Sequence, residues 1–180
     1  MLLYTSRMLL QICKGYLKQP TVTKNKTIEC AFRCWPIDID LYNHMNNANY
    51  LRVAELARWN AFPGSGLFDA AVKKGIMFLA VEQSITYYKP VPSFGKYVVA
   101  TSIDIYKDDK WIWYTHTFLQ HPDNVKVGQE ARKYAEIKLR AVVKEKSGKT
   151  IKPSEQLAFP NASQLIKDLW NVHPDEEKTI

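Results

Sequence analysis

The chain has 180 residues, 46% hydrophobic and 24% charged, with a net charge of +7. That length and balance fit one globular domain with short tails. Seven glycines without a glycine-rich phosphate string argue against a nucleotide loop, and scattered basic residues without an RNA-binding signature argue against nucleic acid as the ligand. The charge permits an anionic partner such as CoA or a phospholipid headgroup without choosing one.

Residues 1–28 contain no acid, while Arg7, Lys14, Lys18, Lys24 and Lys26 accompany Ser, Thr and several Leu. This is the composition of a mitochondrial transit segment, or of an amphipathic arm lying on a membrane or a partner. Mitochondrial localisation is the first reading; a cytoplasmic or membrane-associated protein is the alternative. No stretch approaches the ~20 apolar residues of a spanning helix. Cys13, Cys30 and Cys34 are odd in number and frame no disulfide scaffold. No neighbouring His or Cys completes a zinc site with them. Free thiols in a reducing compartment are expected, and no metal or cofactor is assigned.

Residues 27–35 carry β-branched and aromatic side chains and predict a first strand. After a polar loop, residues 47–61 place Tyr50, Val53, Ala54, Ala57 and Ala61 on one helical face, with Arg52, Glu55 and Trp59 opposite. The small stripe lets the helix press closely on a sheet. Glu55 and Arg58, three apart, are expected to form a helix-face ion pair. Pro63 and Gly64 predict the helix end, and residues 67–74 a short further helix. Strands are then predicted over 77–89, 96–106, 111–119 and 131–143, each alternating or turn-bounded. A terminal helix is predicted over 161–172. One helix followed by antiparallel strands is an α+β plan.

The polar loop is the chemical feature. Asp38, Asp40, His44, Asn43, Asn46, Asn47 and Asn49 crowd into the entrance of the apolar helix. Such density is costly unless the groups are hydrogen-bonded or used. A helix entrance also offers free N–H groups and a positive dipole end. Asn46 or Asn47 is a candidate N-cap. Asp38 is read as a turn carboxylate. Asp40 is either a reacting carboxylate or a helix-entrance group, and His44 either orients it or is held by backbone carbonyls.

The string Asp38-Ile39-Asp40 … His44-Met45-Asn46-Asn47-Ala48-Asn49-Tyr50 … Glu55-Leu56-Ala57-Arg58, with Tyr87-Tyr88-Lys89-Pro90 later, resembles the hotdog-fold thioesterases. The similar groups are the 4-hydroxybenzoyl-CoA thioesterase-like proteins and thioesterase superfamily member 6. The resemblance implies a curved antiparallel sheet wrapping the helix at 47–61, in a domain over 26–150. A basic arm (1–25) precedes it and an extension with a short helix (151–180) follows. It further implies paired protomers and a thioester substrate, acyl-CoA or acyl-carrier protein. Asp40 would be the catalytic carboxylate with His44 beside it. Asn46, Asn47 and Ala48 would hold the oxyanion, and Tyr87 would either contact substrate or pack the sheet. Tyr42, Asn43 and Thr86 depart from relatives' patterns. They motivate an alternative: a silent hotdog subunit recruited to a larger mitochondrial assembly.

Overall fold

The computed structural model describes residues 2–18, 22–24, 26–65, 71–72, 75–106, 110–153 and 170–173. Among the described residues, the helices α1 (Leu2–Leu17) and α2 (Asn47–Ser65) accompany a sheet of seven strands. These are β1 (Ile28–Arg33), β2 (Ile76–Tyr87), β3 (Lys96–Tyr106), β4 (Trp111–Gln120), β5 (Lys133–Glu145), β6 (Thr150–Ile151) and β7 (Trp170–His173). The sheet order is β1-β3-β4-β5-β2, antiparallel throughout that path. With one long helix after β1, this is the α+β hotdog arrangement expected from the sequence.

The alternation in the strands explains which face meets α2. Tyr97, Val99, Ile103 and Ile105 of β3, Ile112, Tyr114 and Phe118 of β4, and Ala135, Ile137, Leu139 and Val143 of β5 are all buried in one core. The small stripe of α2 closes that core: Ala54 and Ala57 are fully buried, so the helix backbone lies close to the sheet. The opposite face of α2 is covered by α1. Gly15 makes this possible, because a Cβ there would stand 2.3 Å from the Asn60 carbonyl oxygen. Asn60 Nδ2 donates to Gln11 O and Oε1 at 3.2 Å, and Asn60 Oδ1 accepts from Cys30 Sγ at 3.0 Å. One α2 side chain thus ties α1 to β1.

Two sequence expectations change. Pro63 lies inside α2, which runs on to Ser65. In the last turn a proline forfeits one helical hydrogen bond, and the packed helix tolerates it. The terminal helix over 161–172 is contradicted at its end, where Trp170–His173 pair in parallel with Ile103–Tyr106. β1 pairs only residues 96–101 of β3, so the edge beyond it is open to an aromatic, β-branched segment. Residues 161–169 lie outside the described residues. So do residues 67–70 and 73–74 of the short helix expected over 67–74; residues 71–72 are helical.

Candidate active site

The loop entering α2 is built around Asp38, which is 1% exposed. Its Oδ2 accepts the Trp35 N–H at 3.0 Å, closing a tight turn. Arg7 of α1 reaches it with Nη1 at 2.8 Å from Oδ1 and Nη2 at 3.4 Å from Oδ2. Its carbonyl accepts the Asn46 N–H at 2.8 Å. Asn46 Oδ1 in turn accepts the Ala48 N–H at 2.9 Å and caps α2. Asp38 is the turn carboxylate read from the sequence. Its cationic partner comes from the N-terminal arm, 31 residues away, and the sequence reading missed it; the acid-free arm facing an acid-rich loop was the available signal.

Asp40 is displayed rather than buried. Its N–H donates to His44 O at 3.0 Å and its O accepts the Asn43 N–H at 3.1 Å, with Asn43 at φ 62°. Asparagine is among the side chains that tolerate this left-handed conformation. The tight turn brings the two side chains together: His44 Nδ1 stands 3.8 Å from Asp40 Oδ1. That distance is too long for a hydrogen bond. Asp40 Oδ1 accepts the Tyr42 N–H at 2.9 Å, and the carboxylate side chain keeps 23% of its surface exposed. Asn43 is occupied elsewhere, with Ser93 Oγ at 2.9 Å from both its O and its Oδ1. The Tyr42 ring stacks over His44 and is largely exposed.

At the helix entrance the hydrogen bonds select one donor. The Asn46 N–H is used by Asp38, the Ala48 N–H by Asn46 Oδ1 and the Asn49 N–H by Asn46 O. The Asn47 N–H has no acceptor among the described residues. Of the three residues expected to hold an oxyanion, Asn46 and Ala48 have their N–H groups bonded within the loop. Beside Asn47 opens a hollow of about 260 Å³ bounded by His44, Asn47, Tyr50, Tyr87, Tyr88 and Lys89. Tyr50 Oη accepts the Val91 N–H at 3.1 Å, and its ring meets Tyr87 edge-on at 5.2 Å. Burial raises the pKa of both phenols, so both stay protonated and neutral. Tyr87 borders the hollow and keeps 44% of its surface exposed.

Glu55 and Arg58 do not form the expected ion pair. Arg58 turns inward, where Nη1 donates to His116 Nε2 at 3.2 Å and the guanidinium lies over the Tyr114 ring. Among the described residues no group of three or more His, Cys, Asp or Glu side chains could hold a metal ion.

Comparison with known proteins places this geometry. A family model described as the thioesterase-like superfamily matches residues 34–157. Protein THEM6 of Drosophila melanogaster is 28% identical over 121 residues, covering 67% of this chain and 62% of that protein. The long-chain acyl-CoA thioesterase FadM of Escherichia coli is 38% identical over 52 residues, 29% of this chain and 39% of that one. The chain thus matches less than two thirds of the length of these curated relatives. Among solved structures, the probable thioesterase YbaW from E. coli superposes with TM-score 0.62 at 18% identity, over 78% of this chain and 97% of the other. A mutant 4-hydroxybenzoyl CoA thioesterase, complexed with 4-hydroxybenzoyl CoA, gives TM-score 0.62 at 16% identity, over 78% and 99%. At these identities the structural likeness shows the hotdog fold.

Proposed function

Since the chain belongs to the thioesterase-like superfamily, we propose that it hydrolyses an acyl thioester, acyl-CoA foremost, through Asp40. One juxtaposition carries this reading. A partly exposed carboxylate, with His44 at 3.8 Å, stands at the entrance of a helix whose Asn47 borders a hollow and offers an N–H with no acceptor among the described residues. The thioester carbonyl would sit with its oxygen on Asn47 N–H, near the positive end of α2. Asp40 takes a proton from water as its oxygen attacks the carbonyl carbon. The tetrahedral intermediate collapses, the C–S bond breaks, and the leaving thiolate takes up that proton, giving acid and thiol. His44, when protonated, steadies the charge on Asp40. The resemblance to FadM supports a long acyl chain, and Lys89 offers a cation at the rim for a negatively charged carrier.

A second copy of the chain belongs to this proposal. β2 is a strand of 12 residues that pairs with β5 alone among the described residues, and it exposes Met77, Leu79 and Val81. A long apolar edge is a template for pairing. Joining two β2 edges would extend the sheet and place Tyr87, at the end of β2, close to the partner.

The test is turnover of acyl-CoAs across a range of chain lengths. Asp40→Asn keeps an acceptor for the Tyr42 N–H and should cut kcat by about 100-fold or more with the fold unchanged. Absence of turnover over the whole panel would sink the proposal. It would favour the second reading, a silent subunit of a larger assembly. The observation behind that reading is that Asn46, Ala48 and Asn43 are all committed to internal hydrogen bonds.

A further inference from the structure

α1 buries one face on α2, and no described residue covers the other. Leu9, Leu10, Cys13 and Leu17 are exposed, Leu9 and Leu10 at about half their surface and Leu17 at 87%. At about 100° per residue these four fall within roughly 100° of arc on the outer face. Such a stripe is wider than the narrow seam that a partner helix would need. Beside it, between α1 and β1, runs a groove of about 630 Å³. Leu10 and Lys14 line it from α1, Arg33 and Trp35 from the end of β1, and Lys96 from β3. Trp35 and Ile37 form its outer rim at 53% and 54% exposure.

We propose that this outer face of α1, together with the adjoining groove, docks the protein on a membrane bearing anionic lipid headgroups. The charges decide the occupant. α1 carries no acid, and its last turn bears Lys14. Arg7 and Lys96 are paired with Asp38 and Asp123, whereas Lys14, Lys18 and Arg33 make no ion pair among the described residues. An apolar arc flanked by unpaired cations matches the boundary of an anionic bilayer. The leucines enter the acyl region, the lysines extend to the phosphates, and the exposed Trp35 sits at headgroup depth. An acidic protein partner would match the charges but leave the broad leucine arc without a complementary surface. The orientation follows from the fold: Arg7 ties α1 to the Asp38 turn, so docking holds the loop bearing Asp40 near the lipid surface.

Flotation of the full chain with vesicles tests this as binding, independently of any hydrolysis. Protein should rise with phosphatidylcholine vesicles containing phosphatidylserine, and not with phosphatidylcholine alone. High salt should release it. Lys14→Gln and Arg33→Gln should each weaken binding about fivefold. Leu10→Ser or Leu17→Ser, both exposed in the native fold, should weaken it about tenfold or more while near-ultraviolet dichroism stays unchanged. Equal binding to both vesicle types, or no flotation of folded protein, overturns the proposal. So does a fall in oligomeric mass of the leucine variants with flotation intact, because a second copy would then cover the face.

Discussion

Arg58 Nη1 donates to His116 Nε2 at 3.2 Å, linking the central helix to the middle of the sheet. A guanidinium only donates, so Nε2 must present its lone pair. The ring proton is then on Nδ1, which lies 2.9 Å from Thr101 Oγ1 and donates to it. His116 is therefore a neutral imidazole. Its complete burial, and then the charge of Arg58, hold its pKa well below the usual histidine value.

This sets a pH dependence of stability. The folded pKa lies below the unfolded value of about 6.5, so the unfolded chain takes up the proton first. Stability is full above about pH 6.5 and falls as the pH drops from there toward the folded value, by at most about 1.4 kcal/mol per pH unit from this group. Urea midpoints between pH 7.5 and 5 read this slope. His116→Gln should flatten it while lowering stability at pH 7.5.

The pair between Arg7 and Asp38 should matter asymmetrically. Asp38 is almost wholly buried, while Arg7 retains 26% of its side-chain exposure. Arg7→Ala strands a buried carboxylate and should cost about 3 kcal/mol. Asp38→Asn leaves an arginine that can reach water, and should cost less. Chemical denaturation of the two variants orders them; equal costs would show that the loop, not the pair, holds α1.

Tyr50→Phe removes the acceptor for the buried Val91 N–H and should destabilise the protein by about 1–3 kcal/mol. It also frees the segment that walls the hollow, so KM should rise more than kcat falls. A change confined to thermal stability would separate the tyrosine from substrate binding.

The three thiols should divide by environment. Cys30 and Cys34 are buried, and burial pushes their thiols up to about 12 and about 11 respectively. Cys13 is exposed on α1. A maleimide reagent should label one thiol quickly in native protein and three after denaturation. Gly15→Ala should bring labelling of Cys30 forward. The added Cβ would meet the Asn60 carbonyl oxygen at 2.3 Å, forcing α1 away from the side chain that binds Cys30.

Much was legible without coordinates because the patterns are local. The alternation through Tyr97, Val99, Ile103 and Ile105, the small stripe at Ala54 and Ala57, and the Asn46 cap follow from strand period, helix period and side-chain reach. The polar crowding from Asp38 to Asn49 marked the helix entrance, since such groups are tolerated there only with partners. The pairing of Glu55 with Arg58 was misread for the opposite reason: spacing puts two residues on one helix face but does not say what lies across from them. Trp170–His173 became a strand because an unpaired stretch of β3 was waiting, which no local pattern records.

By itself, then, the sequence determined the α+β plan, the strand faces and the loop in which Asp40 and His44 lie. Hydrophobic period and turn chemistry act over a few residues, and those features need nothing more. Only the tertiary structure decided that Arg7 neutralises Asp38, that Arg58 faces His116, and that the Asn47 N–H at the helix entrance finds no acceptor among the described residues. Each depends on which distant group arrives first at a buried charge or donor, and that is set by packing.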